Sequence, residues 1–185
     1  MFIQTEATPN PATLKFLPGQ PVVGNGPHDF RSPAEAGRSP LAERLFGIDG
    51  VAGVFLGADF ITVTKSDGEW QYLKPAILGV IMEHYLSGEP VVKDDGAGEA
   101  VDEEAVDAAD QQIVTTIKEL LDTRVRPAVA QDGGDITFHG YRAGVVFLNM
   151  RGSCAGCPSS TATLKQGIEN LLRHFIPEVK EVRPV

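Results

Sequence analysis

Gly144-Val145-Val146-Phe147-Leu148-Asn149-Met150-Arg151-Gly152-Ser153-Cys154-Ala155-Gly156-Cys157-Pro158-Ser159-Ser160 reads as strand, loop and helix start in immediate succession. Val145 to Met150 is apolar enough to be a buried strand. Arg151 to Pro158 is a glycine-rich loop that holds both cysteines of the chain. From about Ser159 to Ile176 the residues Leu164, Ile168, Leu171, Leu172 and Phe175 recur at helical spacing. Upstream, Asp135 to Tyr141 forms a hairpin with Val145 to Met150 around Ala143-Gly144. Before that, Ile113, Ile117, Leu120 and Leu121 mark an amphipathic helix ahead of a break at Gly133-Gly134, and Val179 to Val185 supplies a last short strand. Residues 108–185 therefore predict an α+β domain of order α-β-β-α-β, small but sufficient for one core.

Residues 1–90 predict a second small α+β domain. Phe2 to Thr5 and Thr13 to Leu17 read as strands separated by the turn Pro9-Asn10-Pro11. Ser32-Pro33-Ala34-Glu35 has the form of a capping box, and Ser39-Pro40 starts a short helix to Phe46. Val51 to Leu56 and Phe60 to Lys65 form a hairpin, residues 72–86 a helix stopped by Gly88, and Trp70 and Tyr72 are expected to pack this domain. Residues 91–107 hold 1 Lys/Arg against 7 Asp/Glu and have no aromatic residue, so they predict an acidic flexible linker that cannot dock on a core.

The net charge of −9 argues against nucleic acid or an anionic membrane as partner, and no apolar run reaches the roughly 18 residues of a transmembrane helix. Two cysteines three residues apart do not make a secreted disulfide scaffold. The start at Met1 has no basic signal region, so the reading is a cytoplasmic protein in a reducing compartment.

Gly152 and Gly156 let the loop backbone turn tightly, and Pro158 suits the first turn of the following helix. That helix end presents free N–H groups and a positive dipole end, which, with Arg151 nearby, predicts thiolates poised for a soft metal. One chain does not complete a tetrahedral zinc site or a common iron–sulfur cluster, each of which takes four ligands. Two chains related by a two-fold axis do. The loop alone leaves a thioredoxin-like redox pair, a structural zinc site between chains and an inert pair open; the redox reading fits poorly because no βαβ unit precedes the motif. No heptad or other oligomerisation motif stands out, so association is expected to depend on the cluster.

The opening stretch, with Thr163-Leu164-Lys165, Gly167-Ile168-Glu169, Asp132-Gly133-Gly134-Asp135 and Ile176-Pro177-Glu178-Val179, resembles the C-terminal NifU/Nfu domain. Met1 to Gln4, Thr8 to Pro11, Leu14-Lys15-Phe16, Ser39 to Ala42, Asp59 to Lys65 and Leu73-Lys74-Pro75 resemble the Nfu N-terminal domain. The resemblance covers both domains and spares only the linker. It implies a non-enzymatic carrier that binds a cluster, most often 4Fe–4S, on Cys154 and Cys157 of two subunits. It also implies an upstream assembly scaffold as donor and apo iron–sulfur proteins as clients. Mitochondrial members carry a presequence, and its absence ahead of Met1 favours a bacterial protein or a mature mitochondrial form.

Asp132 and Asp135 allow a place near the cysteine loop, but a turn needing positive φ at the glycines between them is the preferred reading. His28, His84, His139 and His174 lie at no metal spacing and are expected to be structural or solvated.

Overall fold

The computed structural model describes residues 1–24, 26–93, 105–155 and 158–185. The chain divides into two compact units, residues 1–99 and 100–185, both α+β.

The first unit is a five-stranded antiparallel sheet with helices. Its strands are β1 (Gln4–Ala7), β2 (Thr13–Leu17), β3 (His28–Phe30), β4 (Val51–Leu56) and β5 (Ile61–Lys65), in the order β1-β2-β5-β4-β3. The helices are α1 (Pro40–Phe46) and α2 (Trp70–Ser87). Ser39 caps α1 by accepting from the Ala42 N–H at 3.1 Å, and Gly88 ends α2 with φ +77°. Phe16, Leu41, Leu45, Leu56, Ile61, Ile77 and Ile81 are fully enclosed between sheet and helices. Each contributes on the order of 2 kcal/mol by burial.

The structure differs from the sequence reading at four places in this unit. β1 starts two residues later than read, and β3 is an unforeseen edge strand. Ser32 makes no side-chain cap; the Glu35 carboxylate instead accepts from the Arg31 N–H at 2.8 Å, over a 3-10 turn at Pro33–Arg38. Trp70 packs against the core and donates to the Pro11 carbonyl at 3.1 Å, but Tyr72 stands 73% exposed, because two positions further along the helix is the opposite face.

Of the stretch read as a linker, residues 94–104 lie outside the described residues. Its described ends belong to the units. Val92 is buried in the first core, Ser39 Oγ donates to the Val91 carbonyl at 2.6 Å, and Val106 packs against the second core. Three valines are enough apolar surface to be held, which the charge count concealed.

The second unit begins with α3 (Gln111–Leu120), which runs through a π-helical turn (Leu121–Val125) into α4 (Arg126–Gln131). Pro127 has no N–H to offer the Thr123 carbonyl and its ring crowds it, so the helix widens there and continues to Gln131. β6 (Gly134–Arg142) pairs antiparallel with β7 (Val145–Gly152). α5 (Pro158–Phe175) then returns the chain so that β8 (Glu181–Pro184) pairs parallel to β7, in the order β6-β7-β8. Ile117, Leu121, Ile136, Val146, Leu148, Leu172 and Val182 fill the core. Phe175 sits at its rim, 46% exposed under the Arg124 guanidinium.

Candidate functional site

Cys154 follows the end of β7, at a strand-to-helix junction whose helix, α5, begins at Pro158. Gly156 and Cys157, the latter expected as the second ligand, lie outside the described residues. Gly152 turns the chain with φ +66°, and the Ala155 N–H closes the turn onto the Gly152 carbonyl at 3.1 Å. Cys154 is only 5% exposed and belongs to the apolar core of its unit. The Thr161 hydroxyl on α5 donates to the Cys154 carbonyl at 3.1 Å, tying the helix back to the loop.

The segment Asp132–Asp135 is the other wall of the site. Gly133 has φ +80°, as a turn requires. Gly134 is needed for a different reason: a Cβ there would lie 2.6 Å from Cys154 Sγ and 2.9 Å from the Arg151 carbonyl oxygen. Ser153 clamps the two loops together, its hydroxyl donating to the Asp132 carbonyl at 2.5 Å and its N–H to the Gly133 carbonyl at 3.2 Å. Both readings of this segment therefore hold at once, the turn and the neighbourhood of the cysteine loop. Asp135 lies opposite Arg151 in the β6–β7 register and is gripped bidentately by Arg126 at 2.9 and 3.0 Å. Arg126 also reaches Asp122 at 3.2 Å, so the π-helical turn, α4 and β6 are joined by one charged chain. Hydrogen bonds that the guanidinium donates to Asp135 and then Asp122 hold it more firmly protonated than usual.

The electrostatics correct one expectation. The loop and helix end were expected to favour a thiolate. Burial instead pushes the Cys154 thiol up to about 11, and the Asp132 and Asp135 carboxylates act in the same direction, against a hydrogen bond with Ser153. At neutral pH Cys154 is a buried thiol. Among the described residues, no group of three or more His, Cys, Asp and Glu side chains is placed to hold a metal ion. Of the four histidines, His28 stacks near Phe30, His84 is enclosed, and His174 meets Phe175 edge-on. The sequence reading did not single out Gly134, Ser153, Thr161 or Arg126 for the site. Only Gly134 left a signal, a second glycine where a turn needs one.

A family profile described as "Scaffold protein Nfu/NifU N terminal" matches residues 3–88, and one described as "NifU-like domain" matches residues 117–183. The chain is 54% identical over 187 residues to the Drosophila sechellia protein named "NFU1 iron-sulfur cluster scaffold homolog, mitochondrial", across 100% of this chain and 65% of that one. It is 53% identical over 188 residues to the human protein of the same name, across 100% of this chain and 72% of that one. The chain thus spans about two thirds of the length of the fly relative. The solution structure of a NifU-like protein from Saccharomyces cerevisiae is similar at 29% identity and a TM-score of 0.45, covering 49% of this chain and 83% of that one. With one profile on each unit and more than half of all residues shared with relatives along the whole chain, this protein belongs to the Nfu/NifU family.

Proposed function

We propose that this protein is an iron–sulfur cluster carrier, not an enzyme. It takes a transient cluster, 4Fe–4S, from an upstream scaffold on Cys154 and Cys157 of two subunits and passes it to apo-proteins. The observation that carries this reading is the setting of Cys154, a sulfur at a strand-to-helix junction pressed against Gly134 by the Ser153 clamp. The names of the relatives, cluster scaffold homologs, support it. Those relatives are named mitochondrial, so the mitochondrial matrix replaces the bacterial cytoplasm as the proposed location. No helix among the described residues is long and apolar enough to cross a membrane.

Loading requires the Cys154 sulfur to leave its packed position and release its proton, since a thiolate is the ligand. Iron–sulfur bond formation drives both changes. Reprotonation and reburial favour the reverse step, so the same two terms that oppose loading assist delivery. A dithiol oxidoreductase, the alternative reading, would hold no stoichiometric iron or sulfide after reconstitution. A zinc-bridged module uses the same four sulfurs and is separated by analysis. Anaerobic reconstitution with iron and sulfide should give about four irons and four sulfides per two chains. Stoichiometric zinc without iron, or a fully loaded monomer, would overturn the reading.

A further inference from the structure

A cavity of about 140 Å³ lies in the second unit, between its first helical stretch and β6. α3 gives it Lys118, the π-helical turn Leu121 and Asp122, α4 Arg126, and β6 Ile136, Thr137 and Phe138. Helical turns of this widened kind are frequent at functional sites. The volume is close to that of a cavity that takes one benzene molecule, so it admits a ligand of about six non-hydrogen atoms.

The polar groups of its wall are mostly donors. The Lys118 ammonium stands over the Phe138 ring, 5.4 Å from the centroid. Arg126 donates from Nε and Nη2 to Asp135 and from Nη1 to Asp122. Of the guanidinium's five N–H groups, one on each terminal nitrogen therefore meets no acceptor among the described residues. The Thr137 hydroxyl is enclosed, on a residue 8% exposed, and has no hydrogen-bond partner. A buried hydroxyl left in that state is costly and calls for an explanation. The one carboxylate on the wall, Asp122, already accepts from Arg126 at 3.2 Å and its side chain is 62% exposed.

We propose that this cavity binds a small monocarboxylate with a short apolar body. A bare inorganic anion answers the cations but leaves Leu121, Ile136 and Phe138 against water. A neutral hydrocarbon covers those three and leaves the donors unpaired. A short acid does both: its carboxylate, ionised at neutral pH, accepts from Lys118 and from the remaining Arg126 N–H groups, and its chain lies on the apolar wall. Lys118 joins the two halves, because its ammonium rests on the face of Phe138. A ligand oxygen that reaches Thr137 also supplies the partner its hydroxyl lacks. All seven wall residues belong to one unit of one chain, so binding needs neither a second copy nor a cluster.

An NMR titration of the metal-free full-length chain with butanoate, an acid of the right size, tests this. Saturable millimolar binding is expected, with the largest shifts at Lys118, Thr137 and Phe138. Butanamide has the same shape without the charge and should bind at least about tenfold more weakly. Lys118→Met should weaken butanoate by about tenfold as well, with the circular dichroism of the fold retained. Butanamide that binds as tightly as butanoate, an affinity that Lys118→Met does not move, or shifts that map elsewhere overturns the proposal. N-acetylglutamate amide carries the same carboxylate on a backbone too large for the cavity, and should also bind at least about tenfold more weakly. Equal binding would give the cavity to a side chain of a partner protein and overturn the small-acid assignment. None of these readouts involves metal, so they stand or fall apart from cluster loading on Cys154.

Discussion

The first unit closes its core with aliphatic and aromatic side chains and keeps its unpartnered apolar surface outside, on α2. The second unit counts Cys154 among its core residues. In the first, the core and the exposed apolar side chains are different atoms. In the second, Cys154 Sγ, Gly134 and the Ser153 clamp are both the wall of the candidate site and part of the fold. A change at the site should therefore be felt as stability in the second unit and not in the first. Trp70, the single tryptophan, reports on the first unit alone, so its fluorescence divides the two responses.

The largest effect is expected at the proposed cluster ligand. Cys154→Ser should abolish cluster loading, because a hydroxyl stays protonated and is a poor soft-metal ligand. Burial adds a second consequence that the loop position alone did not suggest. A hydroxyl in an apolar pocket should lower the second unit's stability by about 1–2 kcal/mol, seen by circular dichroism in urea with the Trp70 transition unmoved. Full iron loading in the variant would break the comparison outright.

Gly134→Ala carries the comparison to a residue that is no ligand. Its Cβ cannot fit between Cys154 Sγ and the Arg151 carbonyl without moving backbone, so about 2–3 kcal/mol of second-unit stability should be lost, together with part of the loading. Asp135→Asn comes next. It removes the charged half of a bidentate pair whose aspartate side chain is 9% exposed, and about 1–3 kcal/mol should go from the second unit. If either change shifts the Trp70 transition instead, the separation of the units in this respect is wrong.

The uneven legibility of the two units has the same physical origin. Strands and helix starts follow from periods and caps, which are local; β2, β4 and α1 lie where the sequence puts them, and β7 runs two residues further, to Gly152. What the sequence withheld depends on partners distant along the chain. Gly134 matters because Cys154, twenty residues on, occupies its Cβ space. Arg126 matters because β6 brings Asp135 beside it. The raised Cys154 thiol reflects burial, which no motif reports, and motif reasoning had its direction reversed.

The smallest expected effect belongs to the first unit and depends on pH. His84 on α2 is fully enclosed; burial, followed by the nearby Arg44 guanidinium, lowers its pKa below the ordinary 6.5, while Glu89 opposes the shift. The unfolded chain therefore binds a proton at His84 more readily than the folded one. The stability that this neutral ring supports is fully present above about pH 6.5 and is lost as pH falls through that value towards the folded pKa. Between about pH 7.5 and 5.5 the Trp70-monitored stability should decline by a few tenths of a kcal/mol to about 1 kcal/mol, below the limit of roughly 1.4 kcal/mol per pH unit for one proton. His84→Leu should flatten that decline, because the replacement has no proton to bind and keeps the apolar contacts with the core. The difference in slope between the two chains isolates His84 from the carboxylates, whose titration is common to both. A wild-type curve that is level or rises on acidification, or a slope that survives in His84→Leu, would show that the enclosed ring is not what makes the first unit sensitive to acid.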